Sequence, residues 1–127
     1  MRRMTTALAL AAVLTATPAH AAPDPCARYI DLAHKVGWPR SQDMQLRRIM
    51  ARESHCVPSN INWADPHGGS WGLLQINGSH RSWLRGQRIA NELPDLLKPA
   101  TNLRAGLALY RLYGWKPWGT HPSTPQP

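Results

Sequence analysis

Apolar residues along the chain fall into a short N-terminal run, two well-marked helical stripes and a central region with no clear period. Between Ser41 and His55, Leu46, Ile49 and Met50 recur at helix-face spacing, and the position seven after Leu46 on that stripe is Glu53. Pro99 to Tyr113 repeats the pattern with Leu103, Leu107 and Tyr110 and stops at Gly114. Leu109, Leu112 and Tyr113 widen its apolar surface, so this helix is expected at the centre of the fold. A shorter helix is expected from about Cys26 to Val36, opened by Asp24 or Pro25 and closed by Gly37-Trp38-Pro39. Val57 to Ser70, with its Pro, Asn, Asp and Gly residues, reads as loop. Ser70 to Asn77 reads as a short extended segment or turn, and Gly78 to Arg88 holds a short helix around Trp83. No internal repeat is visible.

The N-terminal run has the form of a secretory signal peptide over residues 1–21. Arg2 and Arg3 supply the basic start, Ala7 to Ala16 the short apolar stretch, and Ala19-His20-Ala21 a small-residue cleavage site. The run is too short to span a bilayer, and no other stretch approaches the ~20 apolar residues required. Cleavage there leaves one small domain over 22–118, followed by a Pro-rich tail at 119–127 expected to be disordered. A secreted or cell-wall-associated monomer is the expectation.

Loss of Arg2 and Arg3 would reduce Lys and Arg from 15 to 13 against 7 Asp and Glu, a net charge near +6. That sign favours anionic partners. The cations are scattered and no nucleic-acid motif accompanies them, so no specific nucleic-acid binding is expected.

Cys26 and Cys56 fit an oxidising compartment. If the first two helices form an antiparallel hairpin, the start of one meets the end of the other, and the two cysteines come together. A bridge closing about thirty residues would contribute roughly 3–4 kcal/mol on the loop-entropy account.

Glu53 stands in the last turn of its helix, on or beside the buried face. Partial burial and the negative end of the helix dipole both disfavour a charged carboxylate, as a general acid working near neutral pH requires. Pairing with Arg52, Arg47 or Arg48 is the competing structural role. Nineteen residues after Glu53 comes Gly72-Leu73-Leu74-Gln75-Ile76-Asn77. Glu53-Ser54 with this segment at this spacing resembles the catalytic core of the lysozyme superfamily, above all soluble lytic transglycosylase (SLT-type) domains. Asn102-Leu103-Arg104-Ala105-Gly106 and the Gly114-Trp115-Lys116-Pro117-Trp118 ending extend the resemblance over about residues 26–118.

The resemblance implies a mainly α, α+β lysozyme-like fold in which a short loop or β segment forms a sugar-binding cleft. It implies cleavage of the β-1,4 bond between N-acetylmuramic acid and N-acetylglucosamine in peptidoglycan glycan strands, with Glu53 catalytic and no cofactor. In animal-type lysozymes a second aspartate precedes the matching glycine by two positions; here that position is Ser70. One carboxylate with serine at the second position resembles transglycosylase chemistry. The alternative is a hydrolytic lysozyme using Asp65 as second carboxylate. A non-catalytic wall-binding module is the rival from another class.

Ser54, Ser70, Gln75, Asn77 and Asn102 are the remaining candidates for substrate binding, each with a competing role in holding backbone together. Many transglycosylases also carry an Ala-Tyr-Asn-x-Gly segment whose tyrosine reaches the glutamate. That segment is absent, and Tyr110 or Tyr113 is the candidate substitute. Trp63, Trp71 and Trp83 are candidates for stacking on sugars or for the core. The histidines show no metal-ligand spacing, so no metal is expected.

Overall fold

The computed structural model describes residues 11–119. Residues 11–24 are exposed and carry no helix or strand. The first ten residues and most of the proline-rich tail lie outside the described range. Four α-helices and a small antiparallel sheet follow in the order α1 (Ala27–Val36), α2 (Asp43–Ser54), β1 (Ile61–Asn62), β2 (Ser70–Trp71), β3 (Ile76–Asn77), α3 (Arg81–Gly86) and α4 (Pro99–Tyr113). The expected mainly α, α+β class is the class observed. Among the described residues, no helix is long and apolar enough to cross a membrane.

α1 begins where the Asp24 carboxylate accepts the Cys26 amide at 2.8 Å and ends in a Schellman motif at Gly37 (φ 109°). There the Trp38 amide returns to Ala33 and the Gly37 amide to His34. A single 3-10 turn, Arg40–Gln42, leads into α2. α2 buries Leu46, Ile49, Met50 and Ser54 and closes with His55 and Cys56 both left-handed, at φ 54° and 57°. Two non-glycine residues in that region cost roughly 1–2 kcal/mol each, and the reversal they make turns Cys56 back toward α1.

Cys26 and Cys56 are disulfide-bonded with their Cα atoms 5.3 Å apart, closing a sequence separation of 30. Both are buried. Because the bridge contributes roughly 3–4 kcal/mol, reduction should lower Tm by more than about 10 °C in a domain of this size. Thermal melts with and without reductant check this; an unchanged Tm, or two alkylatable thiols in unreduced protein, would count against it.

The three strands pair in the order β1-β2-β3. Their register aligns Ile61, Trp71 and Ile76 in one row and Asn62, Ser70 and Asn77 in the next. β1 lies inside the segment expected to be loop. A two-residue strand is too short to show alternation, and its partners fix it: the Asn60 carbonyl accepts the Gly72 amide at 2.8 Å and the Gln75 side-chain amide at 3.1 Å. Between β2 and β3, residues 72–75 form a turn that drives Leu73 and Leu74 fully into the core.

α4 is the central element anticipated from its stripe, burying Asn102, Leu103, Ala105, Gly106, Leu107 and Leu109. Gly106 is required by a close approach, since a Cβ there would sit 2.2 Å from the Leu74 Cδ1. Ahead of α4, the 3-10 helix Leu93–Leu97 inserts Leu96 into the core. The Asp95 carboxyl is held below the usual carboxylate range, chiefly by the Glu92 amide, then by Lys98 and the Asn91 amide. Past α4, the 3-10 turn Lys116–Trp118 folds back, and Trp38, Tyr110, Trp115 and Trp118 join in an aromatic cluster with neighbouring ring centroids 5.0–5.5 Å apart.

Candidate active site

The turn Gly72-Leu73-Leu74-Gln75 is suspended from side chains of three other segments. Ser54 Oγ, at the end of α2, lies 3.0 Å from the Met50 carbonyl and 2.8 Å from the Leu73 carbonyl and shares its one proton between them. Asn102 of α4 accepts the Leu74 amide at 2.9 Å and donates to the carbonyls of Trp71 and Leu96 at 2.8 and 2.9 Å. Trp118 donates its indole N–H to the Leu74 carbonyl at 2.8 Å. Gly72 has no alternative here. Its φ is 75°, and a Cβ would sit 2.3 Å from Asn102 Nδ2 and 2.4 Å from the Leu96 carbonyl.

Glu53 is held beside this turn, one residue before Ser54. At about 100° per residue, Glu53 lies only about 20° from Leu46 and Ser54 about 80° away. Yet Ser54 is the fully buried one, its hydroxyl held by the Leu73 carbonyl, while the Glu53 side chain is 25% exposed. Glu53 Oε1 accepts both Nε and Nη2 of Arg52, at 3.0 and 2.6 Å. The same Nη2 donates to the Trp118 carbonyl at 2.5 Å. Glu53 Oε2 has no hydrogen-bond partner among the described residues. The acid is therefore anchored through one oxygen and open at the other.

Serine and asparagine roles are reassigned by burial. Ser54 and Asn102 are both completely buried with their polar atoms engaged inside the protein, so they brace the turn and present nothing to a sugar. Ser70 is 3% exposed, and its hydroxyl takes the Asn77 side-chain amide at 3.3 Å. Asn77 also donates to the Pro66 carbonyl at 2.9 Å, and its carbonyl oxygen caps the Ser79 amide. Gln75 is half-buried, left-handed at φ 49°, and spends its amide N–H groups on Asn60 and Gly72, leaving its carbonyl oxygen without a protein partner among the described residues.

Tyr110 is half-buried, its ring 5.2 Å from Trp38 and 5.0 Å from Trp115. Its hydroxyl makes no hydrogen bond to Glu53 among the described residues, and Tyr113 is mostly exposed. Trp63 is the tryptophan that faces solvent, 69% exposed and edge-on to Trp71 at 5.1 Å. Trp71 is core, fixed by its indole N–H on the Gly68 carbonyl. Trp83 is half-buried beside His80, whose pKa desolvation pushes below the ordinary histidine value.

Asp65 lies in the turn after β1, half-buried and without an ion pair among the described residues. From Ser54 to Asn91 it is the single carboxylate in the sequence. Among the described residues, no group of three or more His, Cys, Asp or Glu side chains is arranged to hold a metal.

The family model described as Transglycosylase SLT domain matches residues 36–114, more than half of the chain. The chain belongs to the SLT family. Neither the curated proteins nor the solved structures yield a match. In this SLT domain the matched span contains α2, the whole sheet and α4, hence Glu53, the Gly72–Gln75 turn and Asn102. Nearly all of α1, Cys26 and the Trp115–Trp118 segment fall outside it. Membership supports lytic-transglycosylase-type action on peptidoglycan.

The Arg52–Glu53 pair is the competing role that the sequence offered for Glu53, and what the sequence did not show is the tie of this pair to Trp118. Arg52 is adjacent to Glu53, and adjacent helix residues do not normally face each other. The guanidinium that meets Glu53 also meets the Trp118 carbonyl, a backbone group that carries no sequence signal. The Trp118 indole was visible only as part of a Trp-rich ending.

Proposed function

We propose that this protein is a secreted peptidoglycan lytic transglycosylase in which Glu53 acts first as general acid and then as general base. Residues 1–21 direct export, consistent with the disulfide. Glu53 protonates the glycosidic oxygen through the open Oε2, and the bond from C1 of N-acetylmuramic acid to that oxygen breaks. The substrate's N-acetyl oxygen stabilises C1. The carboxylate then takes the proton of the muramic 6-hydroxyl as O6 bonds to C1, which closes a 1,6-anhydro ring and returns Glu53 to its acid form. Intramolecular attack has a high effective molarity and needs no enzyme nucleophile. Gln75, through its unengaged carbonyl oxygen, and the exposed face of Trp63 contact the glycan strand.

The observation that carries this reading is Ser70. At the position where a hydrolytic relative has its second carboxylate stands a buried hydroxyl occupied by Asn77. A second reading, hydrolysis with Asp65 activating water, draws on the unpaired carboxyl of that residue.

The products separate the two. Digestion of purified peptidoglycan should release muropeptides ending in 1,6-anhydro-N-acetylmuramic acid, lighter by one water than hydrolytic products and lacking a reducing end. Asp65→Asn should leave that activity within about twofold of wild type. Mass spectra showing only reducible ends, with activity lost in Asp65→Asn, would replace the transglycosylase by a hydrolase.

A further inference from the structure

The fork between Glu53, Arg52 and the C-terminal turn lies partly outside the family span. Arg52 Nη2 bridges Glu53 Oε1 at 2.6 Å and the Trp118 carbonyl at 2.5 Å, while Nε gives Oε1 a second bond at 3.0 Å. The turn that supplies this carbonyl is itself clamped at two points. The Trp118 indole binds the Leu74 carbonyl, and the Trp115 indole binds Gln42 Oε1 at 2.9 Å, just ahead of α2. Residues 115–118 thus touch the start of the helix bearing Glu53, its end, and the turn beneath it.

We propose that Arg52 is a positioning residue for Glu53, and that the Trp115–Trp118 turn completes the site by fixing Arg52. This rests on Glu53 being the catalytic acid. Two donors on Oε1 fix the carboxyl's rotation, so Oε2 is the oxygen presented to the glycosidic bond. A planar guanidinium can meet a carboxylate and a carbonyl in one plane; a lysine ammonium lacks that fork. Without Arg52 the side chain would sample its other rotamers and place the proton-bearing oxygen correctly for only part of the time. Misplacement of a reacting group acts on kcat more than on substrate binding.

The test is steady-state cleavage of soluble, uncross-linked glycan strands by Arg52→Gln, Arg52→Lys, Trp118→Ala and the Arg52→Gln/Trp118→Ala double variant, with Glu53→Gln in the same assay. Expected is a kcat loss of about 10–100-fold in Arg52→Gln with KM within about twofold and Tm within about 3 °C. Arg52→Lys should recover part of that loss. Trp118→Ala should also lower kcat, and the double variant should be no slower than Arg52→Gln, because the turn acts through the arginine. Wild-type kcat in Arg52→Gln, or multiplicative losses in the double variant, would overturn the proposal. Should Trp118→Ala lower Tm, the two Arg52 variants decide the positioning role alone. Activity retained by Glu53→Gln would instead overturn the reading on which it rests.

Discussion

Glu53→Gln should reduce peptidoglycan cleavage by about 10³-fold or more while leaving the protein folded and bound to the wall. Glutamine preserves the shape of the side chain and can still accept the Arg52 donors on its Oε1. It can neither donate the proton that the leaving oxygen needs nor remove one from the muramic 6-hydroxyl. General acid–base assistance is worth 10²–10⁴-fold where one group serves one step, and in the proposed mechanism a single group serves both. The position tolerates the change because Glu53 stands at the rim of the core, a quarter exposed, and its pair with Arg52 is partly solvated. Turbidity clearing and a pull-down on purified walls measure the two properties separately. Equal clearing by wild type and variant would exclude Glu53 as the acid. Binding without clearing by wild type would make the protein a wall-binding module.

The helices were legible because they are long enough to show a period. α4 runs over the expected residues, and α2 differs from expectation only at its ends, where a 3-10 turn replaces the first residues. The cysteine pairing followed from the antiparallel hairpin expected of α1 and α2. The sheet was not legible in β1, since Ile61–Asn62 has no alternation of its own and exists because Gly72 and Gln75 bind Asn60.

At the site, the motif pointed to the Gly72–Gln75 turn, but not to how deep the polar side chains around it lie. Ser54 and Asn102 are polar residues in a motif next to an acid, and sequence alone does not distinguish one aimed at a sugar from one aimed at an orphan backbone group. What separates them is depth. A turn pressed into the core exposes its amides and carbonyls to no water, so each must find a protein partner. The residues 72–75 turn meets that demand with a serine, an asparagine and a tryptophan drawn from α2, α4 and the C-terminal turn. Among the described residues no buried side-chain nitrogen or oxygen is left without a partner.

Asn102→Leu should consequently be strongly destabilising, by about 3–5 kcal/mol. Leucine has the same branched outline and is somewhat bulkier, so no cavity accompanies the loss. It strands the Leu74 amide and the carbonyls of Trp71 and Leu96, three groups that Asn102 now satisfies at 2.8–2.9 Å. Each buried, unpaired backbone group costs about 1–3 kcal/mol, and partial relaxation of the turn keeps the total below the full sum. With whole-domain stabilities commonly ~5–15 kcal/mol, a loss of this size removes a large fraction of the total and lowers Tm by about 15 °C or more. Asn102→Asp should also destabilise, because its carboxylate retains the acceptor for Leu74 but faces two carbonyl oxygens. Thermal melts measure the stability, and glycan cleavage below the melting range measures the function. There the surviving folded fraction should bind substrate with near-normal KM, since Asn102 has no surface to offer a sugar. A variant with unchanged Tm and a KM raised about tenfold would return Asn102 to the role that the family resemblance first implied.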